Sequence, residues 1–214
     1  MFLETLWQMI LRPRCSMCER FAAGAFCLDC HHQLESCRLS TPIIWVDHKP
    51  LLAWGRYQGP LKQALAHLKY DRRPQVGQFL GQKLGVAWLD VKSDRRDLVV
   101  VPIPLHHQRE RARGYNQSAL LAESFCHVTG LALAINRLVR VRDTAAQFSL
   151  SPRERFTNVA QAFRLGAYFN SSVCRKSVVL VDDIYTTGAT IHSAAETLSQ
   201  AGIQIYGIAV VAKA

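Results

Sequence analysis

Apolar residues recur along this chain in two rhythms, and their alternation outlines the fold. Residues 2–11 carry Leu3, Leu6, Trp7, Ile10 and Leu11 at helical spacing, with Glu4 and Gln8 between them. This predicts a short amphipathic helix packed on its own protein; it lacks the basic start and small-residue cleavage site of a signal peptide. After a connector at 39–50 containing Pro42 and Pro50, residues 51–57 read as a strand, and Gln58-Gly59-Pro60 as a turn into a helix striped by Leu61, Leu65 and Leu68. Phe79, Leu80, Leu84, Ala87 and Trp88 predict a second helix ending near Leu89, and 92–97 a polar loop. Further strands are expected at 98–101, at 131–142 (interrupted by Asn136 and Arg137), and at 203–211. Further helices are expected at 116–128 and at 190–201, the latter stopped by Gly202. Strands alternating with helices predict a doubly wound α/β domain with a mainly parallel sheet.

The strongest strand is followed by the densest chemistry. Val178, Val179, Leu180 and Val181 form a continuous apolar run, as in a strand buried on both faces, and Asp182 and Asp183 cut it off. Open α/β sheets place ligands at the carboxyl ends of their strands. The loop that follows, Tyr185-Thr186-Thr187-Gly188-Ala189-Thr190, offers three hydroxyls, a glycine free to turn, and the N-terminus of the next helix, a combination suited to a phosphate. Two acids beside a phosphate suit a ligand that also carries sugar hydroxyls or Mg²⁺. Position argues against a receiver-type phosphoacceptor pocket, because its acids come at the first strand of a domain.

Charge adds a second element. The formal net charge is +10 over 214 residues, with 49% hydrophobic and 20% charged residues, an ordinary globular composition in which acids are scarce. No apolar run is long enough to span a membrane. Arginines cluster at Arg72 and Arg73, at Arg109, Arg111 and Arg113, and from Arg137 through Arg140, Arg142, Arg153 and Arg155. Planar guanidinium groups grip phosphate in pairs of hydrogen bonds, so the bias towards Arg suits polyanionic ligands. Arg109, Arg111 and Arg113, read as a loop between a strand end and a helix, are placed for a diphosphate. His106 and His107 precede them without an assigned role. The 142–158 segment, which includes Arg153 and Arg155, reads as a basic lid that excludes water from the site.

Near the N-terminus, Cys15-Ser-Met-Cys18 and Cys27-Leu-Asp-Cys30 are two Cys-x-x-Cys knuckles separated by eight residues. In a chain without a secretion signal this spacing predicts a structural, tetrahedral Zn²⁺ site of four thiolates rather than disulfides. His31 and His32 are expected to face solvent, Cys37 is left over, and Cys126 and Cys174 are expected to pack as small hydrophobic residues.

The 178–190 run resembles the motif by which type I phosphoribosyltransferases bind phosphoribosyl diphosphate (PRPP). That resemblance implies that Asp182 and Asp183 contact the ribose hydroxyls, that residues 186–190 hold the 5′-phosphate, and that Mg²⁺ accompanies the ligand. Taken with the four-cysteine module, the Tyr57-Gln-Gly-Pro-Leu-Lys62 turn, Val-Pro-Ile-Pro-Leu-His106, Arg113-Gly-Tyr-Asn-Gln117 and the Thr144-x-x-Gln147 to Arg155-x-x-Asn158 loop, the chain resembles the ComF/GntX family from about residue 10 to its end. Tyr115 stands where many members carry Phe, a difference expected to be neutral. The resemblance implies a zinc module at 1–45 and a phosphoribosyltransferase-like domain at 46–214. It also implies a cytoplasmic role in natural competence, with incoming single-stranded DNA and other competence proteins as partners. A salvage enzyme joining PRPP to a free base is the rival expectation.

Overall fold

A computed structural model describes residues 13–91, 97–143, 161–166 and 177–214. The 2–11 stripe, the 92–96 loop, the lid residues 144–160 with Arg153 and Arg155, and Cys174 lie outside the described residues. In chain order the elements are α1 (Leu28–Glu35), β1 (Ile43–Val46), β2 (Lys49–Arg56), α2 (Gly59–Tyr70), α3 (Pro74–Asp90), β3 (Leu98–Pro102), α4 (His107–Arg113), α5 (Gln117–Thr129), β4 (Ala132–Leu133), β5 (Leu138–Arg140), β6 (Phe163–Leu165), β7 (Ser177–Tyr185), α6 (Ala189–Gln200) and β8 (Ile205–Lys213).

Six strands form one sheet in the order β1-β2-β8-β7-β3-β4, parallel throughout except for the antiparallel edge strand β1. The continuous apolar runs are explained by burial on both sides. Val179 and Val181 of β7 join a core with Leu52, Val100 and Ala209 beneath α2, α3 and α5, whereas Val178 and Leu180 join a second core with Val99, Ile208 and α6. Helices therefore cover both faces, the doubly wound arrangement expected from the pattern.

Local chemistry sets the helix ends. Pro60 and Pro74 stand in the first turns of α2 and α3, where a missing N–H costs nothing. The Asn116 side chain accepts from Ser118 N at the start of α5, and Gly130 ends that helix in the left-handed region, at φ 73°. α3 and α5 approach closely along Gly77, Gly81 and Gly85: a Cβ at Gly81 would lie 2.5 Å from the Leu121 carbonyl oxygen.

Four expectations are corrected. Residues 39–50 contain more than a connector: Ile43–Val46 forms β1 and pairs with β2. Its four residues are all apolar, so it lacks the alternation of a one-sided strand, and it lies between Pro42 and Pro50. The 131–142 stretch is two strands in two sheets, because Asn136, at φ 65°, turns the chain between β4 and the β5–β6 hairpin. Arg109, Arg111 and Arg113 lie on the short helix α4 rather than in a loop, ended by Gly114 at φ 91°. Asp182 and Asp183 do not end their strand, since β8 keeps pairing with β7 as far as Tyr185.

The cysteine segment packs onto this body. Cys15, Phe26, Cys30 and Leu34 belong to the same core as α2 and α3. The Phe26 and Phe79 rings meet edge-on at 4.9 Å, and Arg73–Glu19 at 3.0 Å and Lys83–Glu35 at 2.5 Å pair across the contact. No helix among the described residues is long and apolar enough to cross a membrane.

Candidate functional site

β3 and β7 are parallel neighbours, with Pro102 beside Val181, so their carboxyl ends open at the same sheet edge. A cleft of about 840 Å³ lies there. Its floor is the acid pair. Asp182 and Asp183 are 7% and 4% exposed, unusually low for carboxylates. Asp182 Oδ1 accepts from Ser118 Oγ at 2.8 Å and from the Asp183 backbone N–H at 2.9 Å. Lys69 Nζ, at the end of α2, lies 2.8 Å from Asp183 Oδ2. Burial, and then the neighbouring Asp183 charge, push Asp182 up to about 7, although the Ser118 hydrogen bond favours its ionised form. Burial alone would lower the Lys69 pKa, but Asp183 and Asp182 hold it above its ordinary value.

Five cations face this floor: Lys69, Arg72, Arg109, Arg113 and Arg140. Helical spacing sorts the three arginines of α4. Arg109 and Arg113 are four residues apart, share one face and line the cleft, whereas Arg111 is not among the lining residues. Arg113 is held by Gln117 and Arg109 Nε by Asp143 at 2.8 Å, while Arg72 reaches from the turn between α2 and α3 to the Ala112 carbonyl at 3.0 Å. His106 is buried with Nδ1 unpartnered, and its ring lies tilted against that of His107 at 4.2 Å; neither lines the cleft.

The Arg113–Gln117 run is a framework for this wall. Gly114 stops α4, Asn116 Nδ2 donates to the Ile103 carbonyl at 3.1 Å, and Gln117 and Ser118 hold Arg113 and Asp182. Tyr115 Oη donates to the Leu68 carbonyl at 2.6 Å, tying this wall to the helix that carries Lys69. The tyrosine is therefore not equivalent to phenylalanine here, contrary to expectation.

The hydroxyl-rich loop divides into two roles. Thr186 and Thr190 line the cleft, and the N-terminus of α6 opens beside them. Gly188 is left-handed at φ 79°, and a Cβ there would meet the Tyr185 ring, 2.8 Å from Cζ. Tyr185 and Ala189 pack into the second core, and the Thr187 hydroxyl is buried without a partner. The oxygen-rich donor set of Asp182, Asp183, Thr186 and Thr190 suits a hard cation such as Mg²⁺.

In the N-terminal segment, the sulfurs of Cys15, Cys18, Cys27 and Cys30 all lie within 4.8 Å of one another, with Cys18 and Cys27 at 3.6 Å. Tetrahedral Zn²⁺ with bonds of ~2.3 Å places its sulfurs ~3.8 Å apart, so the cluster has the donor set and size of a structural zinc site. The Cys15 carbonyl accepts from Glu19 N at 3.0 Å and the Cys27 carbonyl from His31 N at 2.9 Å, closing the two knuckles. Arg20 donates to the Cys18 sulfur at 3.3 Å and pulls that thiol down to about 6, favouring the thiolate a metal needs. Of the two histidines, His32 is exposed and the His31 ring meets Phe79 edge-on at 5.4 Å. Cys37 and Cys126 are buried free thiols, Cys126 as expected.

The acids, the loop and the arginines are legible in the sequence, whereas the roles of Lys69, Ser118 and Gln117 at the cleft are not. Only the Arg113–Gln117 motif pointed towards Gln117 and Ser118. Lys69 carried no signal beyond its place beside the Arg72–Arg73 cluster.

Fold and cleft together define a mainly parallel α/β protein with a buried acid pair and arginine wall at its strand ends, and a four-thiolate module docked on one helical face. No protein-family model matches the chain. It is 32% identical over 161 residues to Competence protein F of Haemophilus influenzae, covering 72% of this chain and 70% of that protein. It is 33% identical over 199 residues to DNA utilization protein YhgH of Salmonella typhimurium, covering 90% and 82%. Competence protein ComFC of Bacillus subtilis is 27% identical over 189 residues, covering 88% and 72%. The chain belongs to the ComF family.

Proposed function

We propose that this chain binds PRPP with Mg²⁺ in the strand-end cleft and handles incoming single-stranded DNA during DNA uptake. The observation that carries the first half is the buried acid pair facing five cations across one cleft, with a hydroxyl-rich loop and a helix N-terminus at its side. The relatives' names carry the second half, which the net charge of +10 supports.

In this reading Asp182 and Asp183 accept hydrogen bonds from the ribose hydroxyls. Thr186 and Thr190 donate to the 5′-phosphate, together with the backbone N–H groups at the start of α6. Arg109 and Arg113 face the diphosphate, and Ser118 fixes the orientation of Asp182. When bound, Mg²⁺ neutralises diphosphate charge and so favours its departure from the sugar. Zn²⁺ held by Cys15, Cys18, Cys27 and Cys30 stabilises the module, whose own core is small. The domain division at 1–45 and 46–214, a cytoplasmic location and contact with other competence proteins belong to the same proposal.

The test is single-stranded DNA binding measured with and without Mg²⁺-PRPP, beside diphosphate release with a panel of free bases. DNA affinity that changes when Mg²⁺-PRPP is added supports the proposal. Diphosphate release with one free base at ordinary turnover, and no affinity for DNA, supports the salvage enzyme instead.

A further inference from the structure

The cleft cations differ in what restrains them. Arg72 is held by a backbone carbonyl, Arg109 by Asp143 and Arg113 by Gln117, all groups outside the acid pair. Lys69 is paired instead with Asp183, one of the two carboxylates assigned above to the ribose. Its side chain is 14% exposed and that of Asp183 is 6% exposed, so the pair is shielded from solvent. An ammonium is a point charge on a flexible stem and can exchange one oxygen partner for another. The ammonium occupies Asp183 Oδ2 and offsets its charge, so this oxygen is a weaker acceptor for a sugar hydroxyl until something else attracts the ammonium.

We propose that Lys69 is the residue that couples diphosphate binding to release of the acid pair. In the cleft without ligand its ammonium neutralises Asp183. When PRPP enters, the ammonium turns to a diphosphate oxygen, and the freed carboxylate accepts from the ribose. The inference rests on the reading of the cleft as a PRPP site. It assigns Lys69, on α2, to selecting ligands with a diphosphate over those with the sugar phosphate alone. Ribose 5-phosphate has the same hydroxyls and 5′-phosphate but nothing to draw the ammonium away.

The experiment titrates Mg²⁺-PRPP and ribose 5-phosphate separately into wild type, Lys69→Gln and Lys69→Arg, with a thermal melt of each variant. Glutamine keeps a donor for Asp183 and removes the charge. Losing one charge-assisted hydrogen bond weakens PRPP binding by about 10- to 100-fold. Ribose 5-phosphate binds Lys69→Gln as tightly as wild type, or more tightly. Lys69→Arg keeps the charge and retains more PRPP affinity than Lys69→Gln, a split that a purely structural role does not produce. Equal loss of both ligands in the variants, or arginine binding PRPP no better than glutamine, overturns the role of Lys69 while leaving the wild-type site intact. Wild type that binds neither ligand refutes the PRPP reading itself, and this inference with it.

Discussion

Asp182→Asn separates what the acid pair does for ligand from what it costs the fold. Asparagine Oδ1 can still accept from Ser118 Oγ and from the Asp183 N–H, so the geometry of the floor is kept. What disappears is a buried negative charge beside a second carboxylate. The Asp182 pKa is raised from 3.8 to about 7. Between these values the folded protein holds a proton that the unfolded chain has released, so wild-type stability falls as pH rises through this window and stays reduced above it. A shift of about three units at ~1.36 kcal/mol each gives an upper bound of about 4 kcal/mol. The variant is therefore expected to be more stable than wild type by roughly 2 to 4 kcal/mol at pH 8, or about 4 to 16 °C in Tm for a chain of this length. The two should melt alike near pH 4. Calorimetric melts across this range, paired with PRPP titration, test the reasoning: the variant should gain stability and lose ligand together. A Tm difference that does not change with pH, or a less stable variant at pH 8, would refute it.

Further perturbations separate structural from ligand-facing parts of the cleft. Gly188→Ala forces a Cβ into the left-handed region and against the Tyr185 ring, and is expected to lower stability by about 1–3 kcal/mol and to weaken PRPP binding, read by denaturant unfolding and titration. Arg109→Ala should weaken Mg²⁺-PRPP binding about tenfold or more, whereas Arg111→Ala, off the cleft, should leave the affinity unchanged. Chelation of zinc, or Cys27→Ser, should release one metal per chain and unfold the module, exposing the Phe26–Phe79 contact; retained Tm after complete metal loss contradicts a structural role.

How legible each part was depends on whether its cause is local in sequence. The run from Val178 to Val181 announces a doubly covered strand because both its faces are apolar, and the acids and hydroxyls follow within nine residues. The four cysteines are equally local. By contrast, α4 has no buried residue and so carries no apolar stripe; its arginines read as a loop, and the helical spacing that turns Arg111 away from Arg109 and Arg113 was hidden. β1 escaped notice because it is only four residues long, does not alternate, and lies between Pro42 and Pro50. Lys69 could not be found from the motif at all. It reaches Asp183 from a helix 114 positions earlier, brought there by α2 packing beneath the sheet and by the Tyr115 hydroxyl that holds Leu68.

Titration calorimetry of Mg²⁺-PRPP into the zinc-loaded chain asks whether the acid pair is a PRPP site. Wild type should bind one equivalent, and Asp182→Ala together with Asp183→Ala should abolish the heat. Affinity that is unchanged in the double variant, or absent in wild type, contradicts the claim.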